Sequence, residues 1–329
     1  MTVRIGCLGA ARIAPMALVR PGRAVAGAEV AAVAARSRDK AQAFATKHGI
    51  PRVHGSYQQL IDDPDIDAVY NPLPNGLHGV WTMRALRAGK HVLCEKPFTA
   101  NAAEAEEVAK VAAETGLVVV EAFHWRYHPL ASRLVEIVRS GELGPIREIR
   151  TSMCFPLFAR NDIRWQAHLA GGALMDAGCY AVHMARTLAG AEPEVVSAEA
   201  RLRRPGVDRY VRASVRFPDG SSGRITTSMW SGTVLDISAR VIGESGSVHV
   251  FNPTAPQFFN LVTQRSGGRT RRWRGRGHHT YQYQLEAFVD AVENGAAVPT
   301  GPDDAIANMR VIDAIYLAAG MEPRQPTPA

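Results

Sequence analysis

Three side chains of this 329-residue chain stand where their types and spacing could do chemistry. They are Lys96 in the run Glu95-Lys96-Pro97, and Asp176 and Tyr180, four positions apart behind Gly171-Gly172-Ala173. The apolar stretch 91–95 reads as a strand that carries Lys96 to a sheet edge, and Pro97 restricts the lysine to extended backbone. Held there, an ammonium can polarise a substrate oxygen and stabilise a developing alkoxide. The competing reading is a surface Lys-Pro at a strand end. On a helix, Asp176 and Tyr180 share one face. A tyrosine titrates near pH ~10 and is a poor base at neutrality, but a neighbouring ammonium such as Lys96 favours the phenolate. Tyr180 could then relay a hydroxyl proton while Asp176 orients substrate hydroxyls or the Lys96 ammonium. Against this stand a core tyrosine tied to backbone, and a helix-start carboxylate at the positive end of the helix dipole.

A second group could bind rather than react. A strand over 3–9 runs into Gly9-Ala10-Ala11-Arg12-Ile13-Ala14, a departure from the G-x-G-x-x-G/A turn that cradles a dinucleotide pyrophosphate. Gly9 permits the tight turn and Ala14 permits close helix–strand packing. Ala11 replaces the glycine at the point where backbone approaches the pyrophosphate most closely, so the loop must shift slightly around a methyl. The next strand ends in Arg36-Ser37-Arg38 instead of the acid that would hold a ribose 2′-hydroxyl. Guanidinium groups and a hydroxyl suit a 2′-phosphate, which favours NADP over NAD. Arginines that merely solvate a strand end are the alternative.

The elements that must position these groups alternate at first. Strands are expected over 3–9, 29–35, 67–71, 91–95 and 117–121. Between them lie helices at 13–19, 39–48, 77–88 and 101–115, several closed by glycine. That rhythm implies a doubly wound parallel sheet with its ligand crevice at the carboxyl ends of the strands. After Glu121 extended segments predominate, at 146–154, 195–202, 210–217, 223–230, 238–242 and 247–251. A helix at 129–140 precedes them, one at 173–188 is inserted early, and two more follow at 281–294 and 303–319. The expected fold is α/β: a Rossmann domain, residues 1–121, then an α+β domain, residues 122–329, with a large open, mainly antiparallel sheet. The C-terminal helix is expected to pack back on the first domain, and the MEPRQPTPA tail to be disordered.

Taken together, Gly9 to Ala14, Asn71-Pro72-Leu73-Pro74-Asn75 with His78, Ala88-Gly89-Lys90-His91-Val92, Glu95-Lys96-Pro97 and the run 171–180 (GGALMDAGCY) are similar to the Gfo/Idh/MocA oxidoreductases. They occur in family order along essentially the whole chain. The resemblance implies that Asn71, Pro72, Leu73, Asn75, His78 and Glu95 line the cofactor with Lys96, and that Lys96 is catalytic. The Asp-Ala-Gly-Cys-Tyr version resembles the dimeric dihydrodiol dehydrogenase and NADP-dependent D-xylose dehydrogenase branch; many other members have histidine in place of Tyr180. Trp125, Arg126 and His168 are expected to contact substrate. Glu121, His124 and His128 are expected to wall the pocket, and His183 to be a hydrogen-bonded helix residue. Phe158 and Trp165 suit either ring stacking or core packing.

Composition narrows the class further. Hydrophobic content of 46% and charged content of 21% fit a soluble globular protein, and no apolar run approaches a membrane span. The start MTVRIGCLGA enters a strand directly, so no signal peptide is expected. Four scattered cysteines, without metal spacing, read as free thiols in a reducing cytoplasm, and no metal site is expected. The net charge of +7 owes much to Arg265, Arg269, Arg271, Arg272, Arg274 and Arg276 around Trp273. Such a tract can bind nucleic acid, but a solvated loop or β-ribbon explains it without a partner. The expected function is an NADP-dependent dehydrogenase or reductase of a sugar, polyol or cyclic diol, assembled as a homodimer through the second-domain sheet. Two alternatives remain: a nucleotide-sugar ketoreductase whose arginine tract holds the diphosphate, and a non-catalytic NADP-binding sensor.

Overall fold

A computed structural model describes residues 2–328. Contacts divide the chain into two compact units. The first comprises the chain up to His124, Tyr281–Ile306 and the residues from Pro326 on; the second comprises Trp125–Thr280 and Ala307–Gln325. The first unit therefore takes in more of the C-terminal region than the single boundary at residue 121 implied. The reason lies in backbone pairing: the amide of Glu121 donates to the carbonyl of Thr300 at 2.8 Å, and the Thr300 hydroxyl donates to the Glu121 carbonyl at 2.7 Å.

In the first unit, β1 (Val3–Leu8), β2 (Ala28–Ala34), β3 (Arg52–His54), β4 (Ala68–Asn71), β5 (His91–Cys94) and β6 (Val119–Glu121) form one sheet. The order is β3-β2-β1-β4-β5-β6, all parallel. Strands buried on both faces read as continuous apolar runs, as β1 does. After the glycine turn, a π turn over Pro15–Val19 leads into α1 (Arg20–Ala24), so this helical segment runs past the expected end at residue 19. α2 (Arg38–His48) starts on the Ser37 cap and stops at Gly49, whose φ of 68° suits glycine. β3 and the short α3 (Tyr57–Ile61) were not expected from the sequence. α4 (His78–Arg87) and α5 (Ala102–Thr115) complete the crossovers, α5 capped by Asn101 and ended by Gly116. The order of the strands reverses between β1 and β4, which is the topological switch point where doubly wound sheets bind ligands.

The second unit begins with α6 (Pro129–Arg139) and β7 (Ile146–Cys154). A π turn, Leu174–Gly178, then precedes α7 (Cys179–Ala189). Seven strands follow: β8 (Glu194–Arg204), β9 (Val207–Arg216), β10 (Ser222–Ser228), β11 (Asp236–Gly243), β12 (Gly246–Phe251), β13 (Leu261–Ser266) and β14 (Arg269–Trp273). They make an eight-stranded sheet in the order β14-β13-β12-β11-β7-β10-β9-β8, antiparallel except for β7 with β10. One sheet face lies against α7, where Thr151 on β7 donates to the Ala181 carbonyl at 2.8 Å. α8 (Thr280–Asn294) and α9 (Pro302–Ala318) end the chain.

The expected disorder of the tail is overturned for residues 321–328; residue 329 lies outside the described residues. Arg324, only 6% exposed, donates to Asp208 at 2.6 Å and to the Gly206 carbonyl. Asp208 is fully buried and also accepts from the Tyr316 hydroxyl at 3.0 Å and the Leu174 amide at 2.7 Å. A carboxylate taken out of water requires such partners, and the tail supplies the charged one. Removing one member of a buried ion pair leaves the other uncompensated. Arg324→Ala is therefore expected to destabilise the second unit by about 3–5 kcal/mol. A denaturant midpoint equal to wild type would show that the pair carries no stability.

Candidate active site

At the switch point, the Gly9 amide donates to the Ala34 carbonyl at 2.6 Å, which fixes the glycine turn beside the end of β2. Gly9 has φ 106°, a conformation L side chains rarely adopt, and a Cβ there would meet Leu73 Cδ2 at 3.4 Å. Ala10, Ala11 and Ile13 are part-exposed and Arg12 is exposed in this turn. Arg36 and Arg38 are exposed, and Ser37 between them accepts from the Lys40 amide as a helix cap. Sequence reasoning passed over Tyr57, whose hydroxyl lies about 4.0 Å from the same Gly9 position and beside the backbone of Arg36. A glycine-led turn at a switch point, flanked by two exposed guanidinium groups, fits a phosphorylated dinucleotide.

The edge formed by β4 and β5 is built around His78. Its Nδ1 lies 2.7 Å from the Pro97 carbonyl and its Nε2 lies 2.7 Å from the Leu73 carbonyl. Burial holds this imidazole neutral, with its pKa lowered to about 4; the Lys96 charge acts the same way, against the two carbonyls. Both ring nitrogens are thus taken up by protein, and His78 braces the cofactor-side loops instead of offering a ring nitrogen to a ligand. Asn71, fully buried, behaves alike: its Nδ2 donates to the His78 carbonyl at 3.0 Å and to Thr82 at 3.2 Å. Pro72 and Leu73 are buried, and Asn75 is part-exposed at the start of a 3-10 turn.

Lys96 stands two residues past the end of β5, half-buried, and the Lys96–Pro97 bond is cis. Beyond it the Phe98 amide donates to Glu121 Oε1 at 2.8 Å, a tie that connects this turn to β6. Glu95 accepts from the Tyr70 hydroxyl at 2.7 Å. Burial raises the Glu95 pKa, while Lys96 and the Tyr70 hydrogen bond oppose the rise. Tyr70 and Tyr281 are both pushed well above the ordinary phenol value by burial and by the nearby Glu95 charge. Glu104, a further residue that sequence reasoning missed, accepts the Ala100 amide, and burial raises it to about 7. A Cβ on Gly79 would collide with its carboxylate.

In the second unit, Asp176 lies in the π turn and Tyr180 in the first turn of α7, both nearly buried. The expected uninterrupted α-helix over 173–188 is replaced by a π turn, a feature frequent at functional sites. Asp176 Oδ2 accepts from the Gly172 amide at 3.4 Å, and Oδ1 lies 3.8 Å from Arg164 Nε. Gly172 has φ 145°, and a Cβ on it would collide with Asp208. Trp125, 1% exposed, donates from Nε1 to His183 Nδ1 at 3.0 Å, which places it in the core with its polar group already engaged. Arg126 is part-exposed and His168 exposed. Trp165 is also a core residue, 1% exposed with Arg203 stacked on its ring, whereas Phe158 is 72% exposed. Among the described residues, no three histidine, cysteine, aspartate or glutamate side chains cluster as metal ligands. All four cysteines are buried thiols.

Comparison with known proteins gives the family. The family described as "Oxidoreductase family, NAD-binding Rossmann fold" (Gfo/Idh/MocA) matches residues 3–123, and the corresponding C-terminal domain matches residues 132–249. The chain is 36% identical to D-xylose 1-dehydrogenase (NADP(+)) 2 of Haloferax volcanii, over 95% of this chain and 96% of that one. It is 35% identical to trans-1,2-dihydrobenzene-1,2-diol dehydrogenase of Macaca fascicularis, over 68% and 67%. A 3-ketoreductase of Actinomadura kijaniata, solved with NADP and TDP-benzene, superimposes with a TM-score of 0.90 at 31% identity, covering 97% and 98%. That ketoreductase has also been solved with single substitutions at a lysine and at a tyrosine. The two lie as far apart in its sequence as Lys96 and Tyr180 do in this one.

The neutral state of His78 has a pH signature. Its folded pKa of about 4 lies below the ordinary 6.5, so between these values the unfolded chain binds more protons and stability rises with pH. The contribution is complete above pH 6.5 and is lost as pH falls toward 4. Denaturant melts across this window should show wild-type stability climbing about 3 kcal/mol more steeply than that of His78→Gln. Parallel curves would mean that the imidazole does not titrate as its burial demands.

Proposed function

The chain belongs to the Gfo/Idh/MocA oxidoreductase family, and from that premise we propose that it is an NADP-dependent dehydrogenase or reductase of a sugar, polyol or cyclic diol. The observation that carries the reading is Lys96 at the carboxyl end of β5, in a turn braced by His78 and Glu121, on the sheet whose switch point bears the glycine turn. NADP would lie along Gly9 to Ile13, with Arg36, Ser37 and Arg38 taking the 2′-phosphate. When bound, it supplies the hydride acceptor or donor.

The protein's own residues do the rest. Lys96 holds the substrate oxygen through its ammonium and stabilises negative charge as it develops there. Tyr180 takes the hydroxyl proton in oxidation and returns it in reduction. Asp176 orients the substrate. Its contacts with Gly172 and Arg164 hold it in place and leave the proton to the phenol. Support for giving Lys96 and Tyr180 these roles comes from the like-spaced lysine and tyrosine of the ketoreductase. Arg126 and His168 supply polar contacts to substrate. Four buried thiols fit a reducing cytoplasm, and the sheet face opposite α7 would pair two copies as a homodimer.

A second reading, a ketoreductase of a nucleotide-linked sugar, is favoured by the near-complete overlap with the A. kijaniata enzyme. The two are separated by nicotinamide absorbance with NADP+ or NAD+ and a panel of D-xylose, D-glucose, inositol and a trans-dihydrodiol. Turnover of a free substrate that vanishes in Lys96→Met supports the first reading; turnover that survives the substitution rejects Lys96. Tyr180→Phe is expected to lower kcat about 10²–10⁴-fold, the contribution of a positioned proton-transfer group. Replacing Arg36 and Arg38 together with alanine should raise KM for NADP+ about 10–100-fold, the loss of charge-assisted bonds, and leave NAD+ unaffected. An equal effect on both cofactors would remove these arginines from 2′-phosphate recognition.

A further inference from the structure

Outside these groups, the loop after β12, the end of β14 and the segment beyond it line an open cleft of about 640 Å³ in the second unit. Its walls combine Phe258, Phe259 and Trp273 with Arg274 and Arg276. The volume falls within the range of about 300–1,000 Å³ typical of small-molecule sites. Phe258 is 69% exposed and Phe259 43%, large apolar faces that a solvated surface loop does not require. The Arg274 guanidinium stacks 4.7 Å from the Phe259 ring centroid, and neither Arg274 nor Arg276 has a carboxylate partner among the described residues.

The cavity is built rather than incidental. Asn260 donates from Nδ2 to the Pro256 and Gly275 carbonyls and accepts the Gly275 amide at 2.7 Å, which clamps the two walls together. Asn252, at φ 51°, donates to the carbonyls of Ala255 and Phe259, so the aromatic loop is internally tied. A Cβ on Gly275 would press within 3.1 Å of three Leu130 side-chain atoms, and so the second wall rests directly on α6. Backbone so constrained holds its side chains ready before a ligand arrives, which lowers the ordering cost of binding.

Open aromatic faces stack flat rings, and guanidinium forks match phosphate oxygens. A ligand that needs both, in a volume of this size, is a single nucleotide and not a polymer. We propose that this cavity binds a nucleoside diphosphate, with the base against the exposed phenylalanines and the diphosphate on Arg274 and Arg276. The proposal rests on the nucleotide-sugar reading for what the diphosphate would carry, but not for the site itself, because binding is read without turnover.

The test is calorimetric titration of the full-length protein, saturated with NADP+, with thymidine diphosphate, inorganic pyrophosphate and thymidine. Thymidine diphosphate should bind at one site per chain, and Lys96→Met should bind it equally. Replacing Arg274 and Arg276 together with alanine should weaken thymidine diphosphate and pyrophosphate at least 10-fold while leaving thymidine nearly unchanged. Phe258→Ala should weaken thymidine diphosphate and thymidine and spare pyrophosphate. All three side chains are exposed, so the thermal midpoints of both variants should match wild type. No binding to the NADP+-loaded protein, or binding unchanged in both variants, would overturn the site. If binding holds while no substrate is turned over, the site stands and the redox reading fails; turnover of free sugars without thymidine diphosphate binding gives the converse.

Discussion

The imidazole of His78, caught between the carbonyls of Leu73 and Pro97, is the contact on which the edge that bears Lys96 depends. It joins the loop after β4 to the turn after β5 at two short distances, and Asn71 binds its backbone from below. A neutral ring has a single N–H and can donate to only one of the two carbonyls. The other contact is tolerated because burial makes a second positive charge beside Lys96 still less favourable. The lysine therefore projects from a turn fixed on both sides, by His78 on one and by Glu121 through the Phe98 amide on the other.

That edge also sorts the tyrosines. Glu95 is buried, and its charge together with desolvation raises Tyr70 and Tyr281 far above neutrality. Phenols in that condition donate hydrogen bonds and do not accept protons, so neither is a base, and Tyr70 donates to the carboxylate. Tyr180 follows a π turn whose start is held by Asp208 through the Leu174 amide, and the arginine that compensates Asp208 comes from the tail.

Elements with strong local signals were legible in the sequence. β1 was marked by its apolar run into Gly9, α2 by its closing Gly49, α5 by Asn101 and Gly116. β3 and α3, at three and five residues, are too short to show a period. The π turns were hidden because a hydrophobic pattern does not report an i→i+5 bond. Long-range pairing was hidden as well: nothing near Arg324 announces Asp208, and nothing near Thr300 announces β6. Within the candidate site, residue types and order pointed to segments, but not to which side chains face inward. His78 and Asn71 are recognisable by position, yet their polar atoms serve the protein's own backbone, and Trp125 is engaged by His183.

The arginine tract shows how a sequence cluster can dissolve in three dimensions. Gly267 and Gly268, at φ 55° and 71°, form the tight turn that folds the tract into the β13–β14 hairpin. Alternation along β14 then sends Arg269 and Arg271 to one side, where they line a small cavity with Glu142, while Arg272 pairs with Thr263 and points to the other. Arg274 and Arg276 lie beyond the strand, against the aromatic loop. A nucleic-acid backbone needs a continuous basic track, and the pleat divides this one into separate groups. What remains concentrated is a pair of guanidinium groups beside exposed aromatic rings, a combination suited to one nucleotide rather than to a strand.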